Sequence, residues 1–145
     1  MTEQEVLEFF ESLRDLVTRI ENIKNERESI MRDMTSIKAV DYEKPKITCT
    51  TNTDLAKTLE SIYSRCERLD RELVDAVDKL TSMRELAYKL IALCNNARQR
   101  CILYDYYLQG KSWEFIQAKY HYARTWPFIL RQRAVRSIAE HTIKE

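Results

Sequence analysis

Residues 55–94 contain the pattern that most constrains this chain, an alternation of four-residue and three-residue steps between apolar side chains. We call this series the first stripe; it consists of Leu55, Leu59, Ile62, Cys66, Leu69, Leu73, Ala76, Leu80, Met83, Ala87, Leu90 and Cys94. Such spacing keeps one face of an α-helix apolar and is typical of coiled coils. A helix of about 40 residues is about 60 Å long at about 1.5 Å per residue, too long to be buried in so small a protein. We therefore predict a long helix whose stripe is covered by a second helix.

A similar series precedes it and predicts another long amphipathic helix, beginning near Thr2 or Glu3. Its apolar positions are Leu13, Leu16, Ile20, Ile23, Ile30, Met34 and Ile37, and only Arg27 interrupts them. The intervening residues, about 39–53, contain Pro45 and four threonines and have no helical period, so they predict a loop. Asn52 or Thr53 is expected to cap the following helix, with Asp54 favourable for its dipole.

Two arrangements satisfy both apolar series. The helices can fold back on each other as an antiparallel coiled-coil hairpin over residues 1–94, or the first stripe can pair across a homodimer axis. In either case these side chains are expected to be core rather than a cofactor or membrane surface.

Composition supports an all-α fold, because 44% of the residues are apolar, 32% are charged, and there is one glycine and two prolines. The net charge of +1 hides an asymmetry. Up to Cys94 the chain has 15 Lys/Arg and 19 Asp/Glu, a net charge of −4, whereas residues 95–145 have 9 and 4, a net charge of +5. This distribution indicates a basic binding module on an acidic scaffold.

Residues 95–145 predict three short helices and therefore a separate helix-turn-helix domain. The first helix is predicted over Asn95–Leu108 and ends at Gly110, the only glycine, in a left-handed conformation. Ser112 is expected to cap the second, Trp113–Lys119, and residues 120–122 form the turn. The third is predicted over about Trp126–His141.

In a helix-turn-helix, the helix after the turn enters the major groove of double-stranded DNA. Arginine can bond to guanine, glutamine to adenine, and apolar tips can contact the thymine methyl, while other basic side chains bind phosphates. The predicted DNA-binding residues are Lys111, Lys119, Arg124, Thr125, Trp126, Phe128, Ile129, Arg131, Gln132, Arg133 and Arg136. We expect Trp113, Phe115, Ile116 and Tyr122 to be core residues and Trp126 to be exposed.

Residues 100–138 resemble region 4 of the sigma-70 family. The matching elements are the Arg100-x-x-Leu103-x-x-Tyr106-Tyr107 run, the Gly110-Lys111-Ser112-Trp113-Glu114 turn, Ile116, Tyr122 and Arg133-Ala134-Val135. The whole arrangement is similar to short phage proteins of Gram-positive hosts, near the ArpU-like and RinA-like late transcriptional regulators. This resemblance implies a DNA-binding phage regulator that lacks the polymerase-binding and promoter-melting regions of a true sigma factor.

The chain departs from the family at residues 123–127, Ala-Arg-Thr-Trp-Pro, where relatives usually have a Ser or Thr cap followed by arginines. Proline is tolerated in the first helical turn, so the third helix is expected to start late, with Thr125 as its cap. This departure favours an alternative, in which the fold mimics sigma region 4 and binds RNA polymerase or another host protein. Trp126, Phe128 and Ile129 would then be apolar anchors.

Other functional classes find little support in the sequence. No paired carboxylates, Gly-rich phosphate loop or nucleophile motif indicates an enzyme, and no cofactor is expected. The four cysteines and two histidines lack zinc-site spacing. No secretory signal or membrane span is readable, which predicts a soluble protein in the cytoplasm of the bacterial host cell.

Overall fold

The computed structural model describes the backbone of residues 1–43 and 49–144 and the side chains of residues 1–36 and 54–144. Within these ranges the chain is helical and has no β-strand, so the predicted all-α class is confirmed. The elements are α1 (Glu3–Glu43), α2 (Cys49–Ala92), α3 (Ala97–Leu103), a π-helical turn (Tyr104–Leu108), α4 (Trp113–Tyr120) and α5 (Trp126–Lys144).

Helix α1 starts where the sequence predicts, and two reciprocal hydrogen bonds explain its start. The Glu5 backbone N–H donates to Thr2 Oγ1 at 3.2 Å, and the Thr2 N–H donates to Glu5 Oε2 at 2.9 Å. This capping box satisfies two of the backbone donors that the first helical turn leaves unpaired.

The predicted loop over about 39–53 is longer than the segment between the two helices. Helix α1 continues to Glu43 and α2 begins at Cys49, before the expected caps Asn52 and Thr53, while Pro45 lies outside the described residues. Threonine disfavours helix by only a few tenths of a kcal/mol per residue, so a helix continues through a Thr-rich stretch when the adjoining turns are well packed.

The chain divides into two compact units, Met1–Arg19 with Asp78–Glu145, and Ile20–Val77. The first unit therefore contains the start of α1, the end of α2 and all of α3 to α5. The boundary predicted between residues 94 and 95 falls inside this unit, because the C-terminal helices share their core with both long helices.

That shared core, called here the main core, is built from buried side chains of α1, α2, α3, the π-helical turn and α5. Phe10 lies against Tyr107 with 5.2 Å between ring centroids, and Cys94 Sγ donates to the Ala134 carbonyl at 3.7 Å. Burial raises the pKa of the Cys94 thiol to about 11. The buried members are Val6, Phe10, Leu13, Ala87, Leu90, Ile91, Cys94, Leu103, Tyr107, Leu108, Ala134, Val135, Ile138 and Ala139.

In the second unit α1 and α2 run antiparallel. Arg27 Nε donates to Asp70 Oδ1 at 2.6 Å. Met31, four residues later on α1, contacts Cys66, which lies four residues earlier on α2 than Asp70. Ile23, Ile30, Met34, Ile62, Cys66 and Leu69 form the core of this pair. Arg27, which interrupts the apolar series of α1, is thus accommodated by an ion pair at the edge of the core.

The inward orientation predicted for the first stripe is confirmed from Leu55 to Cys94. Each of its members is buried or half-buried, and most of the positions between them are exposed. No helix in the described residues is long and apolar enough to cross a membrane.

Candidate nucleic-acid interface

The first helix of the predicted binding region begins and ends with specific backbone caps. Asn96 accepts a bond from the Arg98 N–H at 2.9 Å, one residue after the predicted start at Asn95. After the π-helical turn, Gly110 has a φ of +68°, as predicted, and a Cβ there would lie 3.2 Å from Val17 Cγ1. Both the left-handed backbone and the close approach of α1 favour glycine.

Helix α4 and the turn after it also follow local sequence signals. The predicted cap Ser112 accepts a bond from the Phe115 N–H at 3.1 Å. The helix continues to Tyr120, one residue past the prediction, and His121 ends it in the left-handed conformation with a φ of 57°. The sequence predicted a turn here without identifying His121 as its left-handed residue.

Helix α5 starts at Trp126, immediately after the expected cap Thr125, whose carbonyl accepts the Ile129 N–H at 3.3 Å. Pro127 occupies the first helical turn and is buried, so the late start expected from this proline is confirmed. The helix continues to Lys144, three residues past the predicted end at His141.

A small apolar cluster joins α3, α4 and α5. Ile102, Ile116 and Leu130 are its buried members, and Trp113, Tyr122 and Trp126 pack against them. Phe115 was expected in this core, but it is 44% exposed because Ile116 occupies the inward position and the next residue around α4 faces solvent. Trp126 was expected to be exposed and is half-buried, because the first turn of α5 lies on the cluster.

A buried carboxylate, which the sequence did not single out, ties α4 to the π-helical turn. Asp105 is 5% exposed and accepts bonds from Tyr120 Oη at 2.5 Å and from Lys119 Nζ at 3.0 Å. Burial and then the bond to Asp105 raise the pKa of Tyr120 to about 12, and bonding to Asp105 raises the pKa of Lys119. Lys119, predicted to bind phosphate, is therefore held by an internal partner.

A column of stacked side chains runs from α1 to α5. The Arg14 guanidinium lies 3.8 Å above the Tyr106 ring, Tyr106 stacks on Trp113 at 3.9 Å, and Trp113 contacts Phe128 at 4.7 Å. Arg14 Nη1 also donates to the carbonyls of Tyr106, at 2.6 Å, and Lys111, at 3.1 Å. Arginine suits this position because its planar group stacks and donates simultaneously.

Arg131 adjoins this column and is engaged inside the unit. Its Nη1 lies 3.9 Å from Glu11 Oε1, and its guanidinium lies 5.4 Å from the Trp113 ring. Glu11 also accepts a bond from Tyr107 Oη at 3.2 Å. Desolvation is the main cause that raises the pKa of this phenol above its usual range.

The remaining predicted residues are more accessible. The exposed residues on the outward side of α5 are Phe128, Ile129, Gln132, Arg133 and Arg136. Lys111, in the segment before α4, and Arg124 and Thr125, in the segment before α5, are also exposed. Arg136 Nε lies 3.4 Å from Glu3 Oε1 at the solvent-exposed surface. The guanidinium carbon of Arg133 lies 5.4 Å from the centroid of the Trp126 ring. Among the described residues, Lys111, Arg124 and Arg133 make no ion pair.

A shallow groove of about 380 Å³ separates the start of α1 from α5. Leu7 and Val135 contribute apolar surface, Phe128 and Ile129 line the α5 side, and Glu3 lines the α1 side. The groove thus offers both apolar surface and charge next to the exposed face of α5.

Comparisons with protein-family models, curated proteins and solved structures gave no match. Among the side chains that the structure describes, no three metal-binding groups lie close enough to hold an ion.

Proposed function

We propose that this protein is a DNA-binding transcriptional regulator that uses α4 and α5 as a helix-turn-helix on an antiparallel coiled-coil hairpin. The observation that carries the proposal is the outward face of α5, where Ile129, Gln132 and Arg133 are exposed directly after a short helix and a turn. The net charge of +5 over residues 95–145 favours the same partner.

The proposed roles follow from exposure and from side-chain chemistry. Gln132 and Arg133 are the base-reading candidates, since amide and guanidinium groups match adenine and guanine edges. Ile129 is suited to a thymine methyl, and Lys111 and Arg124 to phosphates. Arg131 and Lys119 instead position the helices, because internal carboxylates already hold them.

Selection of bound sequences from a random double-stranded DNA pool tests this proposal with the full chain. We expect enrichment of one motif and binding that weakens steeply with salt. Gln132→Ala and Arg133→Ala should each lower affinity for that motif by about 1–3 kcal/mol, or about five-fold to 150-fold, and relax preference at one base pair. Recovery of no motif would count against a sequence-specific regulator.

A second proposal, binding of RNA polymerase or another host protein as a sigma region 4 mimic, is favoured by the groove beside α5. Phe128 and Ile129 are 40% and 37% exposed there, as apolar anchors of an interface would be. Surface-immobilised bacterial RNA polymerase should then bind the wild type and lose the Ile129→Glu variant. Gln132→Ala should affect this binding less than DNA binding, which separates the two functions.

In the first proposal the protein acts on DNA within the bacterial host cell, in the manner that the resemblance to late phage regulators implies. We propose that it modulates transcription rather than opening a promoter itself.

A further inference from the structure

The first three turns of α1 concentrate negative charge. Residues 1–13 contain no lysine or arginine and four glutamates, which are Glu3, Glu5, Glu8 and Glu11. Helix α5 has the opposite charge, because it carries three arginines, Arg131, Arg133 and Arg136, and no acidic residue before Glu140. Both segments belong to the same compact unit, so the contacts between them are defined.

Two ion pairs join these oppositely charged segments. Glu3 Oε1 lies 3.4 Å from Arg136 Nε, and Glu11 Oε1 lies 3.9 Å from Arg131 Nη1. The two arginines are five residues apart on α5, which is more than one helical turn. The acidic segment of α1 therefore contacts α5 at two levels.

The start of α1 also lies beside the face of α5 that we propose binds DNA. Glu3, Gln4 and Leu7 line one side of the groove of about 380 Å³, and Ile129 and Gln132 line the other side. A DNA duplex that contacts Ile129 and Gln132 would bring its phosphates towards the Glu3 carboxylate. Like charges repel, so this carboxylate opposes the approach of DNA.

Contacts away from the DNA-binding face hold the start of α1 in place. A capping box fixes its first turn, and Val6 and Phe10 are fully buried in the main core. The Thr142 hydroxyl of α5 lies 3.3 Å from the Met1 carbonyl oxygen. The backbone at Glu3 therefore stays beside α5 unless core residues unpack, and its charge acts on any DNA that approaches this face.

The pair between Glu3 and Arg136 has more consequence for DNA binding than for folding. The Glu3 and Arg136 side chains are 53% and 57% exposed, and an ion pair so open to solvent contributes little stability. Affinity for DNA, however, depends on how many phosphates the protein neutralises, because each one releases a bound counterion. An arginine that is paired with a carboxylate contributes less to that number.

The second pair, between Glu11 and Arg131, has a structural role. Glu11 also accepts a hydrogen bond from Tyr107 Oη at 3.2 Å, and Arg131 is only 28% exposed beside the Trp113 ring. Glu3 differs, since Arg136 is its ion-pair partner among the described residues and neither side chain is buried. A substitution of Glu3 therefore changes the charge beside α5 and leaves the core intact.

We infer that Glu3 is an intramolecular competitor of DNA, which keeps Arg136 from phosphate and holds the DNA affinity of α5 below the value that its arginines would otherwise give. The inference rests on the proposed DNA binding and adds to it a regulatory role for the start of α1. Its effect is to keep non-specific association with DNA weak, because such association consists almost entirely of phosphate contacts.

Fluorescence anisotropy with the full chain and two labelled duplexes, one with the selected motif and one of random sequence, tests this role. Glu3→Gln should bind both duplexes at least about threefold more tightly than the wild type at low salt. Its plot of log affinity against log salt should steepen by about 0.9, the value for one added phosphate contact. Its thermal unfolding curve by circular dichroism should stay the same.

Two further variants separate the pair from a general effect of charge. Glu85→Gln makes the same change at an exposed glutamate of α2 in the same unit, and should bind DNA as the wild type does. Arg136→Ala, added to Glu3→Gln, should return both the affinity and the salt slope to wild-type values, because Arg136 supplies the added contact.

The outcomes distinguish this inference from the proposed function. The inference alone is overturned if the wild type binds DNA and Glu3→Gln binds no more tightly, if Glu85→Gln gives an equal gain, or if the gain survives the loss of Arg136. If neither the wild type nor Glu3→Gln binds either duplex, the proposed DNA binding is overturned together with it.

Discussion

The unit Ile20–Val77 is held by aliphatic side chains at heptad spacing, whereas the unit Met1–Arg19 with Asp78–Glu145 depends on aromatic stacking and buried hydrogen bonds. In the unit Ile20–Val77, the core contacts recur at the heptad spacing of α1 and α2. In the other unit, Arg14 bonds to the carbonyl of Tyr106, 92 residues away. Periodic packing tolerates one polar interruption, but the stacked column depends on each of its members.

The largest loss in the free energy of unfolding is expected for a substitution of Phe10, which is fully buried in the main core. Phe10→Ala should lower the free energy of unfolding by about 3–5 kcal/mol, since it removes a large side chain and leaves a cavity. Urea unfolding followed by tryptophan fluorescence measures this effect, because Trp113 and Trp126 both lie in this unit. Ile143→Ala, at a position that is 70% exposed, is the control and should change little. A loss below about 1 kcal/mol at Phe10 would contradict a core shared by α1 and the C-terminal helices.

A smaller effect is expected for Arg14→Met, which keeps much of the side-chain length and removes the donors. Loss of the bonds to two carbonyls and of the stack on Tyr106 should cost about 2–3 kcal/mol. Arg19→Met provides the matched control, because Arg19 is an exposed arginine on the same helix. Equal unfolding midpoints for the two variants would mean that the stacked column contributes no stability.

The next largest loss of stability is expected for Tyr120, which donates a hydrogen bond to the buried carboxylate of Asp105. Tyr120→Phe removes a donor to a carboxylate that is 5% exposed, and should cost about 1–2 kcal/mol at neutral pH. Since the folded pKa of Tyr120, about 12, exceeds its usual value of 10, its contribution is complete below pH 10 and is lost as the pH rises through 12.

Spectroscopic titration of tyrosinate checks this assignment. Tyr120 of the wild type should ionise near pH 12, and the Tyr120→Phe variant should lose that step while it keeps the high step of Tyr107, whose pKa is also raised. If the variant retained the step, or if the wild-type phenol ionised near pH 10, the proposed bond to Asp105 would be refuted.

The smallest effect is expected in the other unit, for Arg27→Met. Arg27 and Asp70 are 41% and 49% exposed, so solvent screens their ion pair, and methionine continues the apolar series of α1. The free energy of unfolding, measured by circular dichroism, should change by less than about 1 kcal/mol and should lose part of its salt dependence. A loss as large as that expected for Arg14→Met would remove the contrast between the two units.

Much of the local structure of the candidate site follows from short sequence signals. Gly110 gave the end of the π-helical turn that follows α3, and Ser112 and Pro127 gave the starts of α4 and α5, each to within a few residues. Caps and left-handed positions depend on neighbouring atoms, so short sequence signals predict them. The partners of Lys119 and Arg131 did not follow from sequence. Asp105 and Glu11 come close to these side chains only when separate helices pack together.

The sequence by itself determined the all-helical class and the inward face of α2, since a heptad repeat permits one buried stripe on a helix. Only the tertiary structure decided that the start of α1 belongs to the same unit as α3 to α5. Its long-range contacts also distinguished the arginines that stabilise the unit from those exposed on α5. Such contacts join residues whose separation along the chain has no period, so no local pattern encodes them.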